Sequence, residues 1–190
     1  MITITFKDFL KKFILLIVLF FIMLVSIFSY FTYQYNNSIN HYLEDLTKQY
    51  EVEYSIIYNN FNKLSQNTFY GIINKPEIYS LVKYAYKKDE KTQSFYRQIL
   101  YDRLISDYNR LLDFKFKQIH FHFPDNISFL RMHKPEKFGD NLANSRFSIK
   151  EVNKTLKPLN GYEIGKLADG FRFVYPIFDE YLIHIGSAEI

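Results

Sequence analysis

The residues best suited to chemistry crowd into one stretch. FHFPDNISFLRMHKPEKFGD, residues 121–140, holds His122, Arg131, His133, Lys137 and Asp140, and His120 directly precedes it. Three chemistries suit these types: metal ligation by imidazoles, acid–base work by Glu136 and Asp140, and recognition of an anion by Arg131 and the histidines. A His-x-His pair on a strand puts both rings on one face, which is a genuine zinc arrangement. Arg131 can grip a carboxylate through two parallel hydrogen bonds, and His can donate or accept near neutral pH. Enzyme signatures are missing: there is no His-Glu-x-x-His, no Gly-x-Ser-x-Gly and no Gly-rich phosphate loop. With no cysteine in the chain, thiolate metal sites, disulfides and cysteine nucleophiles are excluded.

A hairpin would sort this stretch into two faces. With Asp125-Asn126 as a two-residue turn, His122 faces Phe129, His120 faces Arg131 and Gln118 faces His133. Ile119, Phe121, Phe123, Leu130 and Met132 then share an apolar face. Gln118, His120, His122, Arg131 and His133 share a polar face, with Phe129 among them. A slip of one residue would destroy that sorting. Arg131 on the histidine face would repel a divalent cation, and the histidines would also need a carboxylate or water and a second shell. The expectation is therefore an anion-binding face, with no metal, no cofactor and no catalytic residue.

The elements that must position this face begin at a membrane. FILLIVLFFIMLVSIFSYF, residues 13–31, carries no charge and spans roughly 28 Å as a helix, about one bilayer core. Phe28, Tyr30, Phe31 and Tyr33 at its far end suit an interfacial belt, as a cleaved signal peptide's small residues would not. Lys7, Lys11 and Lys12 precede it, and no Lys or Arg follows until Lys48, which keeps residues 1–12 in the cytoplasm. Residues 32–190 then form one extracytoplasmic domain on a single membrane tether. A net charge of +4, with no strongly basic region, and this topology argue against nucleic acid.

Beyond the span, Ile39, Leu43, Leu46, Tyr50, Ile57, Phe61 and Leu64 mark a long helix over 36–66. Its heptad-like stripe suits either a second copy of the chain or the domain's own sheet. Pro76 to about Lys88 and Gln93 to Leu112 read as two further helices. After Asp113 the period changes to two. FKQIHFHF, ISFLRM, YEIGKL, FRFVYPIF and YLIHIGSAEI read as five strands over about 115–190, with a short helix within Asn144–Lys157. Pairing across Asp179-Glu180 would set His184 opposite Tyr175. Helices followed by an antiparallel sheet make an α+β fold.

This order resembles the double-Cache sensor domains of bacterial histidine kinases, chemoreceptors and diguanylate cyclases. The matching residues are IHFHFPDNISFLRMHKPEKFGD (119–140), VNKTLKP (152–158), GYEIG (161–165), FRFVYPIF (171–178) and HIGSAEI (184–190). The resemblance implies a PAS-like sheet preceded by a membrane-emergent helix. It also implies a pocket on one sheet face, roofed by His133 to Arg146, with Lys137, Asp140 and Arg146 in the roof. The expected ligand residues are Arg131, His133, His120, His122, Phe129, Lys137, Asp140 and Arg146, and the expected ligand is small and anionic. Family members continue into a second PAS-like half and an output domain. The chain ends at Ile190, on the last strand of the first half, so a truncated receptor is expected. The alternative is a dimerisation module that senses nothing.

Overall fold

The computed structural model describes residues 6–164 and 169–190. Its contacts divide the chain into two units, with the boundary between Ile56 and Ile57. The described part of the first unit is wholly α-helical and belongs to α1, Phe6–Thr68. No Gly or Pro falls within α1, so nothing breaks its hydrogen-bond ladder. Ser26 and Thr32 return their hydroxyls to the carbonyls of Ile22 and Phe28, both at 2.9 Å. One described helix is long and apolar enough to cross a membrane, and it is this one. The anchor and the long helix expected at 13–31 and 36–66 are parts of this one element.

The second unit begins with the last turns of α1. A π-helical turn, Phe69–Ile73, ends the helix around Gly71, and α2, Pro76–Ala85, restarts with proline in its first turn. Asp89 caps α3, Glu90–Asp113, by accepting from the Thr92 amide at 3.1 Å. That cap starts the helix ahead of the expected Gln93.

Five strands follow: β1 His120–His122, β2 Ser128–Arg131, β3 Leu159–Glu163, β4 Gly170–Phe178 and β5 His184–Glu189. The helix α4, Phe147–Thr155, lies between β2 and β3 in the chain. The sheet is antiparallel with order β2-β1-β5-β4-β3. Of the expected third strand YEIGKL, Gly165 to Leu167 lie outside the described residues. β1 is much shorter than FKQIHFHF.

Both hairpins close differently from expectation, for one shared reason. The first turn is Pro124-Asp125-Asn126: the Asn126 amide donates to Phe123 O at 3.0 Å and the Phe123 amide to Ile127 O at 2.9 Å. Asn126 sits at φ 66°, the left-handed position that ends a three-residue loop. This shifts the register by one, so His122 pairs with Ser128. A bulge at Phe129 then restores the pairing of His120 with Arg131. Phe129 is expelled to the apolar side, 4.7 Å from the Phe123 ring. Its expected place on the polar face is thereby corrected. The β4–β5 hairpin repeats the device, with Leu182 at φ 60°. The turn Glu180 to Leu182 sets His184 opposite Phe178 and not Tyr175, and a bulge at Ile185 follows.

Two covers flank the sheet. The π-helical turn, α2 and α3 pack one face through Ile73, Val82, Leu100 and Leu104 against Phe121, Leu130, Phe173 and Ile177. Phe69 stacks on Tyr175 at 4.5 Å, and Tyr175 shares a 2.8 Å hydrogen bond with Ser65. The other face meets α4 through Leu142, Ile149, Val152 and Val174. Gly186, at φ 149°, lies where any Cβ would collide with His122 O. The variant Gly186→Ala should therefore lose about 3 kcal/mol or more in urea unfolding, while Gly161→Ala, with open space around it, should lose under about 1 kcal/mol.

Candidate functional site

The polar face of the sheet is buried beneath α4 and the segment that precedes it. β1 contributes His120 and His122, at 4% and 0% exposure. β5 lies alongside and sets Glu189 opposite His120 and Ser187 opposite His122. Glu189 has 0% exposure, so its charge must be compensated from within. Arg172 of β4 does so, with Nη1 donating to Glu189 Oε1 at 2.6 Å. The other oxygen, Oε2, has no hydrogen-bond partner among the described residues and faces the two rings. It lies 3.4 Å from His120 Nδ1 and 4.0 Å from His122 Nε2.

Each ring is fixed from behind by a hydroxyl. His120 Nε2 and Ser128 Oγ are 2.8 Å apart, and His122 Nδ1 and Ser187 Oγ 3.1 Å apart. The rings themselves stand 4.0 Å apart at their centroids. Burial drives both imidazoles well below their ordinary pKa; the Arg131 charge adds to this at His120, and the neighbouring ring at His122. Both are therefore neutral at pH 7.

The charge chain continues outward. Arg172 Nε lies 3.6 Å from Glu163 Oε2, and Glu163 caps α4 from a different element. It accepts from the Phe147 amide at 3.1 Å and from Ser148 Oγ at 2.6 Å. Its carboxylate thus meets the positive end of the helix dipole as well as the arginine. None of Glu163, Arg172 and Glu189 was among the expected ligand residues. The detectable signal was Ser187-Ala-Glu189, a period-two polar pair like His120-Phe121-His122.

Arg131, on the same face, is already engaged. Its Nη1 and Nη2 donate to Asp140 Oδ1 and Oδ2 at 2.7 and 2.8 Å, and Nη1 also to Lys137 O at 2.7 Å. Arg131 in turn holds the Asp140 carboxyl below its usual range. The roof segment reaches this position by pairing with the free edge of β2. Gly139 N donates to Ser128 O at 2.8 Å, Ser128 N to Asp140 O at 3.0 Å, and Ile127 bridges Asn141. The edge is covered by this pairing. Lys137 contributes its carbonyl, while its side chain and His133 are exposed. Arg146 is half-buried at the N-cap of α4, and its Nη1 is buried without a hydrogen-bond partner among the described residues. The charge of Arg146 acts on both His120 and His122.

Phe129 is separate from this group. Arg97 of α3 donates to its carbonyl at 2.8 Å and lies between the Phe129 and Phe138 rings, 5.5 and 3.4 Å from their centroids. The structure thus brings His120, His122, Arg131, Asp140 and Arg146 to one side of the sheet and places Phe129 on the other. Among the described residues two clefts open at the surface, and Arg172 lines one of them. One of about 240 Å³ is lined by Phe61, Phe116, Gln118 and Arg172, the other, about 280 Å³, by Arg97, Tyr101, Glu136 and Phe138.

A family model described as the double sensory domain of two-component sensor kinases matches residues 43–189. The chain belongs to this double-Cache family. Its α+β fold is the Cache fold, and its role is that of a sensor domain. The E. coli DcuS sensor domain is similar at TM-score 0.51 and 12% identity, over 71% of this chain and 90% of that one. A domain of a putative sensory box/GGDEF protein from Vibrio parahaemolyticus aligns at TM-score 0.43 and 15% identity, over 74% of this chain and 56% of that one. The extracellular domain of a putative histidine kinase aligns at 0.42 and 13%, over 74% of this chain and 53% of that one. No curated protein sequence matches.

The Cache sheet stands on its charge chain, and one variant tests that. Glu163→Ala removes the cap of α4 and one partner of Arg172. It should lower unfolding free energy by about 1–3 kcal/mol in urea titrations. Glu163→Gln, which keeps hydrogen-bonding capacity, should recover part of the loss.

Proposed function

We propose that the polar face beneath α4 binds a small carboxylate-bearing ligand outside the cytoplasmic membrane. The observation that carries this reading is the arginine pair. Arg131 already holds a carboxylate in a bidentate fork, that of Asp140, and Arg146, on the same side of the sheet, has a buried guanidinium nitrogen with no hydrogen-bond partner among the described residues. A ligand carboxylate satisfies Arg146 directly and can replace Asp140, whose side chain is 42% exposed, at Arg131. Neutral His120 and His122 offer hydrogen bonds at the floor, and the segment 133–146 closes the top. The helix α1 then carries the event toward the membrane, with residues 1–12 cytoplasmic, 13–31 spanning and 32–190 outside.

Thermal-shift measurements on the full chain with organic acids and amino acids test this. A bound compound should raise Tm by about 3 °C or more near saturation. Arg146→Ala should abolish the shift, and Asp140→Asn, which frees Arg131, should tighten binding. Absence of any stabilising carboxylate, or a hit indifferent to Arg146, contradicts the reading.

A second reading has its own observation. Ile39, Leu43, Tyr50 and Ile57 are exposed along α1 at heptad-like spacing. A second copy of the chain suits this stripe, whether or not a ligand binds. Because the chain has no cysteine, Leu43→Cys reports on it cleanly. Oxidation in membranes should give a covalent dimer, and a wholly monomeric product removes the stripe as a dimer contact.

A further inference from the structure

From the floor of the polar face we infer a binding site for a first-row divalent metal ion such as Zn²⁺, formed by His120 Nδ1, His122 Nε2 and Glu189 Oε2. Three observations converge. First, one ligand atom from each of these residues can be chosen so that all lie within 4.8 Å of one another. Ligands around a tetrahedral zinc stand about 3.3 Å apart, so the 3.4 Å from His120 to Glu189 is already in range. The rest closes by side-chain movements on the order of 1 Å. Second, His122 Nε2 and Glu189 Oε2 are fully buried and have no hydrogen-bond partner among the described residues. Buried polar atoms of this kind carry a substantial desolvation cost, which a shared cation would offset. Third, the far nitrogen of each ring meets a serine hydroxyl, Ser128 or Ser187. A hydroxyl accepting from that nitrogen leaves the lone pair of the other nitrogen directed at Glu189, which is how outer partners orient imidazole ligands.

Two of the arginines on the face are engaged by carboxylates, whereas Arg146 acts on both histidines and works against a cation. Arg131 is neutralised by Asp140, and Arg172 engages only the Oε1 side of Glu189. Two imidazoles and one carboxylate select zinc, iron or nickel over magnesium or calcium, which prefer oxygen ligands. With three protein ligands, the ion keeps an open position for water or a ligand oxygen. The ligand set shares the two histidines of the floor with the carboxylate reading, but not the arginines Arg131 and Arg146 that anchor that reading.

The test uses the full chain, purified without a histidine tag, stripped with chelator and titrated with Zn²⁺ alone against a chromophoric chelator. About one ion per chain should bind, with a rise in Tm. His122→Gln, which keeps a hydrogen-bonding side chain beside Ser187, should lose that ion. Ser187→Ala leaves all three ligands and should weaken binding at least tenfold. Arg146→Ala removes a positive charge that acts on both histidines, so it should bind zinc at least as tightly as the parent while losing any carboxylate response, and the two proposals fail separately. Absence of stoichiometric zinc, or zinc binding unchanged in both His122→Gln and Ser187→Ala, overturns the inference.

Discussion

A buried carboxylate organises this domain. Glu189 has no access to water, so its charge is tolerable only with compensating partners in place. Arg172 meets one oxygen and the two histidines face the other. That arrangement ties β5 to β4 and β1, the three central strands, on their polar side. Through Arg172 it reaches Glu163, and through Glu163 it sets the first turn of α4. Apolar packing fixes the opposite face of the sheet. On this side, electrostatic compensation decides where the strands and the covering helix can sit.

The same constraint bears on the proposed ligand site. A polar floor that is buried and incompletely satisfied is a costly arrangement, and it persists only where the surrounding structure fixes it. The roof is held by Arg131 on Asp140, by pairing along the β2 edge and by Arg97 clasping Phe138. The first of these contacts is chemically the same as a contact to a ligand carboxylate. Exchange of one for the other would alter the roof while leaving the core beneath α2 and α3 in place.

Much of this was legible in the residue order. The change of period at Asp113 separated helices from sheet, and alternation in His120-Phe121-His122 gave the two faces. The pairing of His120 with Arg131 was read correctly because two local errors cancel: a three-residue turn at Asn126 displaces the register and the bulge at Phe129 restores it. Left-handed Asn126 and Leu182 are backbone choices, which hydrophobic alternation does not report. Glu189 was missed for a different reason. Its partners come from β1 and β4, and only the strand order β2-β1-β5-β4-β3 brings them together. A strand-by-strand reading sees the final Ser-x-Glu as the polar side of an edge, whereas β5 is the centre of the sheet.

The central claim is that the face beneath α4 receives the ligand. Hydrogen exchange of the full chain, with and without a stabilising carboxylate, tests it most directly. The account predicts protection concentrated in the segment 133–146, the first turn of α4 and β1 with β5. Protection confined to the cleft around Phe61 and Phe116, or to the cleft around Arg97 and Tyr101, would contradict it.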